Sequence, residues 1–532
     1  MSAHATCLAP GQVGRRGRPP DVGACVIIGG EHTAADEELG ARIAHGQSSP
    51  RSGRLSHGMN DHQKTRGSHL VAVLFCLTSL GAASCSQKRP QRLVLITIDT
   101  LRLDTFNGRP ADEVLDEALD ENYPGFSGVG EDRQVSSMPL TAQWAQSAAR
   151  FDRYFTSSPV TQPAHASMFT GLYPWQHGVT RNGHVLDANH ETVAETLRSS
   201  GWQTAAVVAS YPLIRPMGLG QGFDRYVDEL DESHSAKHWN GVKVDKFYSL
   251  GETITDRALQ SLDGFSEPNQ FLWVHYFDPH APYGDTDRGE KLITMTHLLK
   301  GSINAKYEVV ARAGIKRALA LYEKDVRSLD AQLARLLERL KADEAEFETH
   351  VVFVADHGES FGDDDSLGHG RRLTEPQLRT PLIVHSPKAT PGLYTDLVGS
   401  NDVAATLLAL AGSKRSLPNG RDLLSELDRP ELVAGMRTTF KGVLKDERVE
   451  AGEQKLFGPR WYIVDESGLI AGDRNRAFAA DDESQPVDHE GAVRAMKLFG
   501  RFADEMRGAV ELDDPETRAA MEALGYAGST DE

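Results

Sequence analysis

Cysteine is scarce in this chain, which has four among 532 residues: Cys7, Cys25, Cys76 and Cys85. Nothing after position 85 can form a disulfide within the chain, so we predict no disulfide partner for that part. A metal site there cannot use thiolate ligands either. It must be built from Asp, Glu, His, Asn or hydroxyl oxygen.

Positively charged residues are also few: the sequence has 57 Lys and Arg but 76 Asp and Glu, which gives a net charge of −19. A non-specific nucleic-acid binder shows a basic footprint, so we predict no nucleic-acid partner. An anionic substrate is not excluded, because the local charge of a metal site can outweigh the global balance. The 39% of hydrophobic and 25% of charged residues are compatible with a globular protein.

The apolar run near the N-terminus, Leu70–Leu77, is too short for a comfortable transmembrane helix, which needs about 20 residues. It follows the basic residues Lys64 and Arg66 and precedes small residues that end at Cys85. These regions appear in the order of a secretory signal peptide, which we predict over 59–85. The alternative is a random apolar patch in an N-terminal tail.

Residues 1–58 are rich in Gly, Arg, His, Ser and Ala and show no sustained apolar period. We predict that this extension is disordered or not part of the mature protein, with Met59 as the start. Because Ala82-Ala83-Ser84-Cys85 resembles a bacterial lipobox, we expect a lipoprotein anchored through Cys85. The protein would then be exported to the periplasm, the outer membrane or the cell surface, with the membrane as a partner.

The body of the chain alternates strand-like runs with helical segments, which predicts an α/β domain with a mainly parallel sheet flanked by helices. The runs at 92–98, 271–276 and 350–355 are continuous and apolar, as in strands buried on both faces. We assign 91–415 to this main domain. From 416 onward the chain is more charged and its periodic runs are shorter, which indicates a smaller C-terminal α+β subdomain over 416–532.

A helix is predicted from Thr161 to Gly171. Pro163 is favoured at the first helical position, and Gly171 can end the helix. A hydroxyl at this end lies near unpaired N–H groups and the positive end of the helix dipole, a setting that suits an oxyanion. The alternative is that Thr161 only caps the helix.

Three further polar residues share the setting of Thr161. Asp99 directly follows the first strand, and Asp356 and His357 follow a later one. The carboxyl ends of parallel strands meet at one edge of a sheet, where ligands bind. Two carboxylates, an imidazole and a hydroxyl suit a divalent cation, with Zn²⁺ or Mn²⁺ favoured and Ca²⁺ or Mg²⁺ as alternatives. A cation would also lower the pKa of the Thr161 hydroxyl and make it a nucleophile.

Four motifs link this pattern to a known family: Leu-Ile-Thr-Ile-Asp-Thr-Leu-Arg at 95–102, Thr-Gln-Pro-Ala-His-Ala-Ser at 161–167, His-Tyr-Phe-Asp-Pro-His at 275–280 and Asp-His-Gly-Glu at 356–359. With them, residues 92–412 resemble the sulfatase-like branch of the alkaline phosphatase superfamily. Together the motifs are specific, although each alone is weak. The resemblance implies an alkaline phosphatase-like fold, a divalent metal and hydrolysis of esters, with 91–415 as the catalytic domain.

The chain departs from the formylglycine sulfatases of that family. Where they have Cys or Ser, this sequence has Thr161, and their later Arg is His165. Their Asp-Asp pair after the first strand is here Asp99-Thr100. The family's phosphodiesterases and phosphoglycerol or phosphoethanolamine transferases use threonine nucleophiles, so the resemblance implies that Thr161 attacks directly.

The resemblance also implies roles for residues outside the metal set. Asn182 resembles a phosphate-contacting Asn, and His369 resembles a histidine near the metal or leaving group. His275, Asp278 and His280 would bind a second metal or the substrate, and each could instead be structural. We take His275 and His369 as catalytic candidates, Asn182 and His280 as substrate-binding candidates, and His165 and His177 as structural residues.

We therefore expect a metal-dependent hydrolase or transferase of phosphate esters, diesters in particular, that forms a phosphothreonine intermediate. One alternative is a sulfuric ester hydrolase that lacks formylglycine. Another is a non-catalytic binding protein on the same scaffold, although all ligand types of a working metal site are present together.

Overall fold

The computed structural model describes residues 89–110, 134–231, 247–284, 308–363, 367–370, 372–425 and, with short gaps, 433–523. The predicted extension and signal peptide, 1–58 and 59–85, lie outside these residues. Among the residues described, no helix has both the length and the apolar character needed to cross a membrane.

An eight-stranded sheet forms the centre of the main domain, with its strands in the spatial order β8-β2-β7-β6-β1-β5-β3-β4. Every pairing is parallel except those of β7, which runs antiparallel to both neighbours. The prediction of a mainly parallel sheet is confirmed. The strands are β1 Gln91–Ile98, β2 Ala149–Phe155, β3 Gln203–Val207, β4 Arg225–Val227, β5 Asn269–Tyr276, β6 Glu348–Ala355, β7 Leu382–His385 and β8 Gly392–Gly399.

Helices cover both faces of the sheet. Most lie between its strands along the chain, and the last three follow its last strand. They are α1 Leu103–Asn107, α2 Pro139–Ala145, α3 Thr161–Thr170, α4 Pro174–His177, α5 Val193–Ser199, α6 Gly251–Asp263, α7 Glu308–Ala342, α8 Glu375–Leu378, α9 Ser400–Leu410, α10 His489–Glu505 and α11 Pro515–Ala523. The apolar residues that recur every three or four positions from Leu319 to Leu340 lie in the C-terminal part of α7.

Strand β1 shows how the sequence builds two hydrophobic cores. All eight of its residues are buried, and successive side chains point to opposite faces. Val94, Ile96 and Ile98 join a core that includes apolar residues of α6 and α7. Leu93 and Leu95 join the other core, with residues of α3, α5 and α9. This double burial places β1 at the centre and leaves its carboxyl end for polar residues.

Helix α3 begins at Thr161, with Val160 as its N-cap and no side-chain cap. Thr161 is thus the first helical residue and Pro163 the third, so the predicted placement of Pro163 at the first position is wrong. Gly171 ends the helix in the left-handed conformation, at φ 68°, as predicted. All ten residues of α3 are buried, because the helix lies between the sheet and α9.

The C-terminal region carries an antiparallel sheet of four strands: β9 Val433–Arg437, β10 Arg460–Asp465, β11 Gly468–Asp473 and β12 Arg476–Ala479. Helix α10 packs on it through Ala495, Phe499 and Phe502. The sheet shares one compact unit with the main domain. The Met436 N–H donates to the Ser157 carbonyl at 3.0 Å, which joins this sheet to the loop before α3.

Replacing Gly171 by alanine should destabilise the protein more than replacing Gly201. Both glycines have positive φ, but an added Cβ at Gly171 would lie 2.7 Å from Leu417 Cδ1, whereas at Gly201 it would meet nothing within 4 Å. We expect a cost of about 1 kcal/mol for Gly201→Ala from backbone strain, and about 1 kcal/mol or more in addition for Gly171→Ala from overpacking. Thermal unfolding of the two variants measures the difference, and equal melting temperatures would contradict it.

Candidate active site

The loop before α3 is hydrogen-bonded along its length, and this fixes Thr161. The Thr156 N–H donates to the Leu378 carbonyl at 2.9 Å, and the Ser157 N–H donates to Ser400 Oγ at 3.0 Å. Thr161 itself is 1% exposed. Its Oγ1 lies 3.5 Å from His357 Nε2, so the hydroxyl faces the residues that follow β6.

Asp356 uses one carboxylate oxygen for the backbone and keeps the other free. Its Oδ1 accepts the N–H of His357 at 2.7 Å and the N–H of Thr100 at 3.3 Å. Thr100 has a φ of 55°, a left-handed conformation uncommon for threonine. Oδ2 of Asp356 is buried and has no hydrogen-bond partner within the described part of the chain.

A contact with the backbone fixes the tautomer of His357. Its Nδ1 lies 3.0 Å from the Gly358 carbonyl, and because a carbonyl only accepts, Nδ1 carries the proton. The lone pair is then on Nε2, which lies 3.6 Å from Asp99 Oδ1 and 3.7 Å from Asp356 Oδ2. Burial also lowers the pKa of His357 well below its usual value, which favours the neutral ring.

Asp99, Asp356 and His357 offer three ligand atoms within 4.8 Å of one another. Like Asp356 Oδ2, Asp99 Oδ1 is a buried oxygen that no hydrogen bond among the described residues satisfies. Burial, with the nearby charges of Asp356 and Glu359, raises the pKa of Asp99 well above its usual value, and burial also raises that of Asp356. Unsatisfied, closely spaced carboxylates of this kind fit a divalent cation, which would relieve their repulsion.

A second group is also close enough for a metal: His165, His275 and Asp356. In both histidines, however, the ring nitrogen that faces the carboxylates carries a proton. His165 Nδ1 donates to the Thr161 carbonyl at 2.8 Å. The Ala209 N–H donates to His275 Nδ1 at 3.3 Å, so in the neutral ring Nε2 carries the proton. That nitrogen lies 3.8 Å from Asp99 Oδ2. His275 is therefore better placed to orient Asp99 than to bind a cation.

Asn182 reaches the start of α3 through Gln162. Its Oδ1 accepts the Gln162 N–H at 2.9 Å, which leaves its NH₂ group to face elsewhere as a donor. The side-chain Oε1 of Gln162 accepts the Gly183 N–H at 2.8 Å, and its Nε2 donates to the His184 carbonyl. Gln162 thus holds the loop that carries Asn182 against the helix.

These contacts reduce the number of free donors at the start of α3. The Gln162 N–H is bonded to Asn182, Pro163 has no N–H, and the Ala164 N–H donates to the Val160 carbonyl at 3.1 Å. The helix dipole remains, but the terminus offers fewer N–H groups to an oxyanion than the sequence suggested.

His369 and His280 extend the site away from the carboxylates. The ring centroid of His369 lies 4.4 Å from that of His357 and 5.1 Å from that of His280. The side chain of His369 is 17% exposed, whereas that of His357 is fully buried. His280 stacks on Phe277, and burial lowers the pKa of His280 to about 4. Its Nε2 is buried without a hydrogen bond to any described residue.

The remaining candidate of the motif at 275–280 is Asp278. It follows β5 along the chain and lies in space beside the first residue of α6. Its Oδ2 would be 3.4 Å from a Cβ built on Gly251, the first residue of that helix. A carboxylate is stabilised there by the helix dipole, so this position favours a structural role over metal binding. His177, predicted to be structural, bonds Ser167 Oγ through Nε2 at 3.1 Å and lies fully buried.

Sequence reasoning missed two residues of this region, Glu359 and Tyr283. Glu359 is fully buried and lies 3.2 Å from His369 Nδ1. Burial alone would raise its pKa, but His369, with His280 and Tyr283, lowers the pKa below its usual value. Glu359 stood in a recognised motif, yet nothing in the sequence connected it with a histidine ten residues later.

Comparisons with known proteins identify the family to which the chain is related. The family model described as Sulfatase matches residues 92–413. The uncharacterized sulfatase YidJ of Escherichia coli (strain K12) is 25% identical over 406 residues, which cover 65% of this chain and 78% of that protein. Choline-sulfatase of Rhizobium meliloti (strain 1021) is 25% identical over 373 residues, covering 60% and 72% respectively.

A solved structure, the phosphonate monoester hydrolase from Silicibacter pomeroyi, superimposes with a TM-score of 0.54 at 19% identity. The match covers 78% of this chain and 94% of that one. This likeness confirms the predicted alkaline phosphatase-like fold.

Asp356→Asn should abolish a stabilising response to divalent cations. In chelator the wild type keeps two unsatisfied buried carboxylates, so Mn²⁺ or Zn²⁺ should raise its melting temperature. Asp356→Asn removes one ligand charge, and we expect its metal affinity to fall about 100-fold or more, since even residues outside the ligand shell cost 10–100-fold. Calorimetric titration and thermal unfolding measure both effects.

Asp402→Asn is the matched control for that experiment. Asp402 is another buried carboxylate, 3% exposed, but it is paired with Arg421 at 2.8 Å and accepts the Gly399 N–H. This variant should be less stable with and without metal and should keep the metal response. An unchanged response in Asp356→Asn would rule out the site.

Proposed function

This chain belongs to the sulfatase family, and we propose that it is a metal-dependent member that cleaves phosphate esters, diesters in particular, with Thr161 as nucleophile. Family membership makes it an ester hydrolase of the alkaline phosphatase superfamily. The observation that carries the finer proposal is the position of the Thr161 hydroxyl, 3.5 Å from His357 Nε2 and beside two carboxylate oxygens that lack hydrogen bonds.

Asp99, Asp356 and His357 would hold the cation, with Thr161 Oγ1 as the fourth ligand atom. Such a cation supplies positive charge that lowers the pKa of the hydroxyl and offsets negative charge on the ester. His275 would keep Asp99 oriented through its Nε2–H. Thr161 has a short side chain and a fixed position as the first residue of α3. Its hydroxyl oxygen would therefore face the ester without a conformational change.

Thr161 Oγ1, after losing its hydroxyl proton to solvent, would form a bond to phosphorus in line with the bond to the leaving oxygen, which breaks. The Asn182 NH₂ group would donate to a non-bridging oxygen, with His280 lining the substrate site beside it. His369, protonated on both nitrogens, would give its Nε2 proton to the leaving oxygen. Water, activated by His369 in the reverse role, would then hydrolyse the phosphothreonine. An acceptor alcohol in place of water would make the same enzyme a transferase.

A sulfuric ester hydrolase that uses the threonine hydroxyl directly is the second candidate. It is favoured by the relatives, since the two curated proteins described above carry sulfatase names. The site is compatible with either ester, because both present non-bridging oxygens around a tetrahedral centre.

Thr161→Ala should reduce turnover by about four orders of magnitude or more, as loss of a nucleophile does, and Thr161→Ser should retain part of it. The assays are p-nitrophenyl phosphate, bis(p-nitrophenyl) phosphate and p-nitrophenyl sulfate in parallel, with mass spectrometry for phosphate or sulfate on Thr161. Thr170→Ala is the control, because Thr170 is a buried threonine of the same helix whose hydroxyl bonds the Ala166 carbonyl. Full activity of Thr161→Ala would refute the mechanism.

Export and lipid anchoring belong to the same proposal. Residues 59–85 would act as a lipoprotein signal peptide that leaves Cys85 as the acylated N-terminus, with 91–415 as catalytic domain and 416–532 as subdomain. Cys85→Ser should move the protein from the membrane fraction to the soluble fraction, since the acyl chains supply the membrane affinity. Fractionation and mass spectrometry of the N-terminus test this, and membrane association that survives the substitution would contradict it.

A further inference from the structure

We propose that Glu359 and Tyr283 are positioning residues that hold His369 for proton transfer to the leaving group. This inference rests on the proposed function, because it assigns a purpose to groups beside the nucleophile. Neither residue reaches the carboxylate cluster of Asp99 and Asp356 by any hydrogen bond among the described residues. Their contacts lead to His369 instead.

Both oxygens of Glu359 are engaged. Oε1 lies 3.2 Å from His369 Nδ1, and Oε2 accepts the hydroxyl of Tyr283 at 2.9 Å. Because an ionised carboxylate only accepts, the Nδ1 of His369 must carry a proton. The second nitrogen, Nε2, is then the one that can exchange a proton with a substrate. A histidine with a carboxylate on its far nitrogen is fixed in both tautomer and ring orientation.

The exposed fractions of the three side chains differ. Glu359 and Tyr283 are both 0% exposed, whereas the side chain of His369 is 17% exposed. His369 also contacts the His357 ring, which places it beside the proposed metal ligand. Because the carboxylate of Glu359 contacts His369 directly, we expect its effect on catalysis to pass through His369.

The backbone around Glu359 is held from two sides. Arg102 Nη1 donates to the Glu359 carbonyl at 2.8 Å, and the Gly358 N–H donates to the Gln377 carbonyl at 2.9 Å. The ring of Tyr283 lies 5.4 Å from that of Phe361 and 6.0 Å from that of Tyr322. Such packing keeps the carboxylate in place, as a support for a catalytic group requires.

The test compares Glu359→Ala, His369→Ala and the double variant on aryl and alkyl esters of whichever class the wild type cleaves. General acid catalysis contributes most for poor leaving groups. We expect Glu359→Ala to lower kcat/KM about 100-fold on an alkyl or phenyl ester, but less than about threefold on the p-nitrophenyl ester, which needs little protonation. In the His369→Ala background, Glu359→Ala should have little further effect, because coupled residues are not additive.

Two more conservative substitutions should give smaller losses of kcat/KM. Glu359→Gln can still accept from His369 Nδ1 through its amide oxygen, so it should rescue most of the loss. Tyr283→Phe should give a loss of about threefold to tenfold with the same leaving-group pattern, as expected for one hydrogen bond. Tyr226→Phe is the control, since Tyr226 is buried and donates to the Leu213 carbonyl at 2.5 Å, outside the site.

A readout without turnover is the tautomer of His369, measured by ¹⁵N NMR of histidine-labelled protein with His369→Ala to assign the signal. We expect the Nδ1–H form in the wild type and a shift away from it in Glu359→Ala. An unchanged tautomer, or a loss in Glu359→Ala that is equal for all esters and additive with His369→Ala, would overturn the inference. Full activity of Thr161→Ala would instead overturn the proposed nucleophile and leave the tautomer result to be judged by itself.

Discussion

The structure depends on the placement of two carboxylates side by side in a buried position. Strands β1 and β6 pair in parallel with Ile98 opposite Ala355, so Asp99 and Asp356 each follow a paired residue by one position. Both are essentially unexposed, and burying unpaired charge costs several kcal/mol per ion. A fold that keeps them there needs a compensating positive charge. In the proposed site, the neutral nitrogen of His357 and the hydroxyl of Thr161, which face the same space, would complete a shell for a cation that supplies this charge.

Hydrogen bonds from the backbone decide which atoms face that space. The Gly358 carbonyl sets the proton of His357 on Nδ1, and the Ala209 N–H sets that of His275 on Nε2. One imidazole therefore presents a lone pair and the other a proton, although both lie within 4 Å of Asp99. The difference argues for one cation between the carboxylates, with the Nε2–H of His275 directed toward Asp99 at 3.8 Å, too far for a hydrogen bond.

Much of this could be predicted from the sequence because it depends on local order. A continuous apolar run predicts a doubly buried strand, and a polar residue after it predicts a position at the carboxyl edge, as for Asp99 and Asp356. The direction of β7 could not be predicted, since an apolar run does not encode parallel or antiparallel pairing. The pairing of Tyr283 with Glu359 was also out of reach, because 76 residues separate them and only the fold brings them together.

The C-terminal region also contributes to the candidate site, because its contacts hold two loops that carry site residues. Met436 and Tyr462 bond the carbonyls of Ser157 and Thr156, just before Thr161. Val510–Glu511 pairs with His184–Val185, next to Asn182. The positions of Thr161 and Asn182 therefore depend on a separate sheet and a short C-terminal strand. Gln162, which joins the two loops, makes the positions of Thr161 and Asn182 mutually dependent.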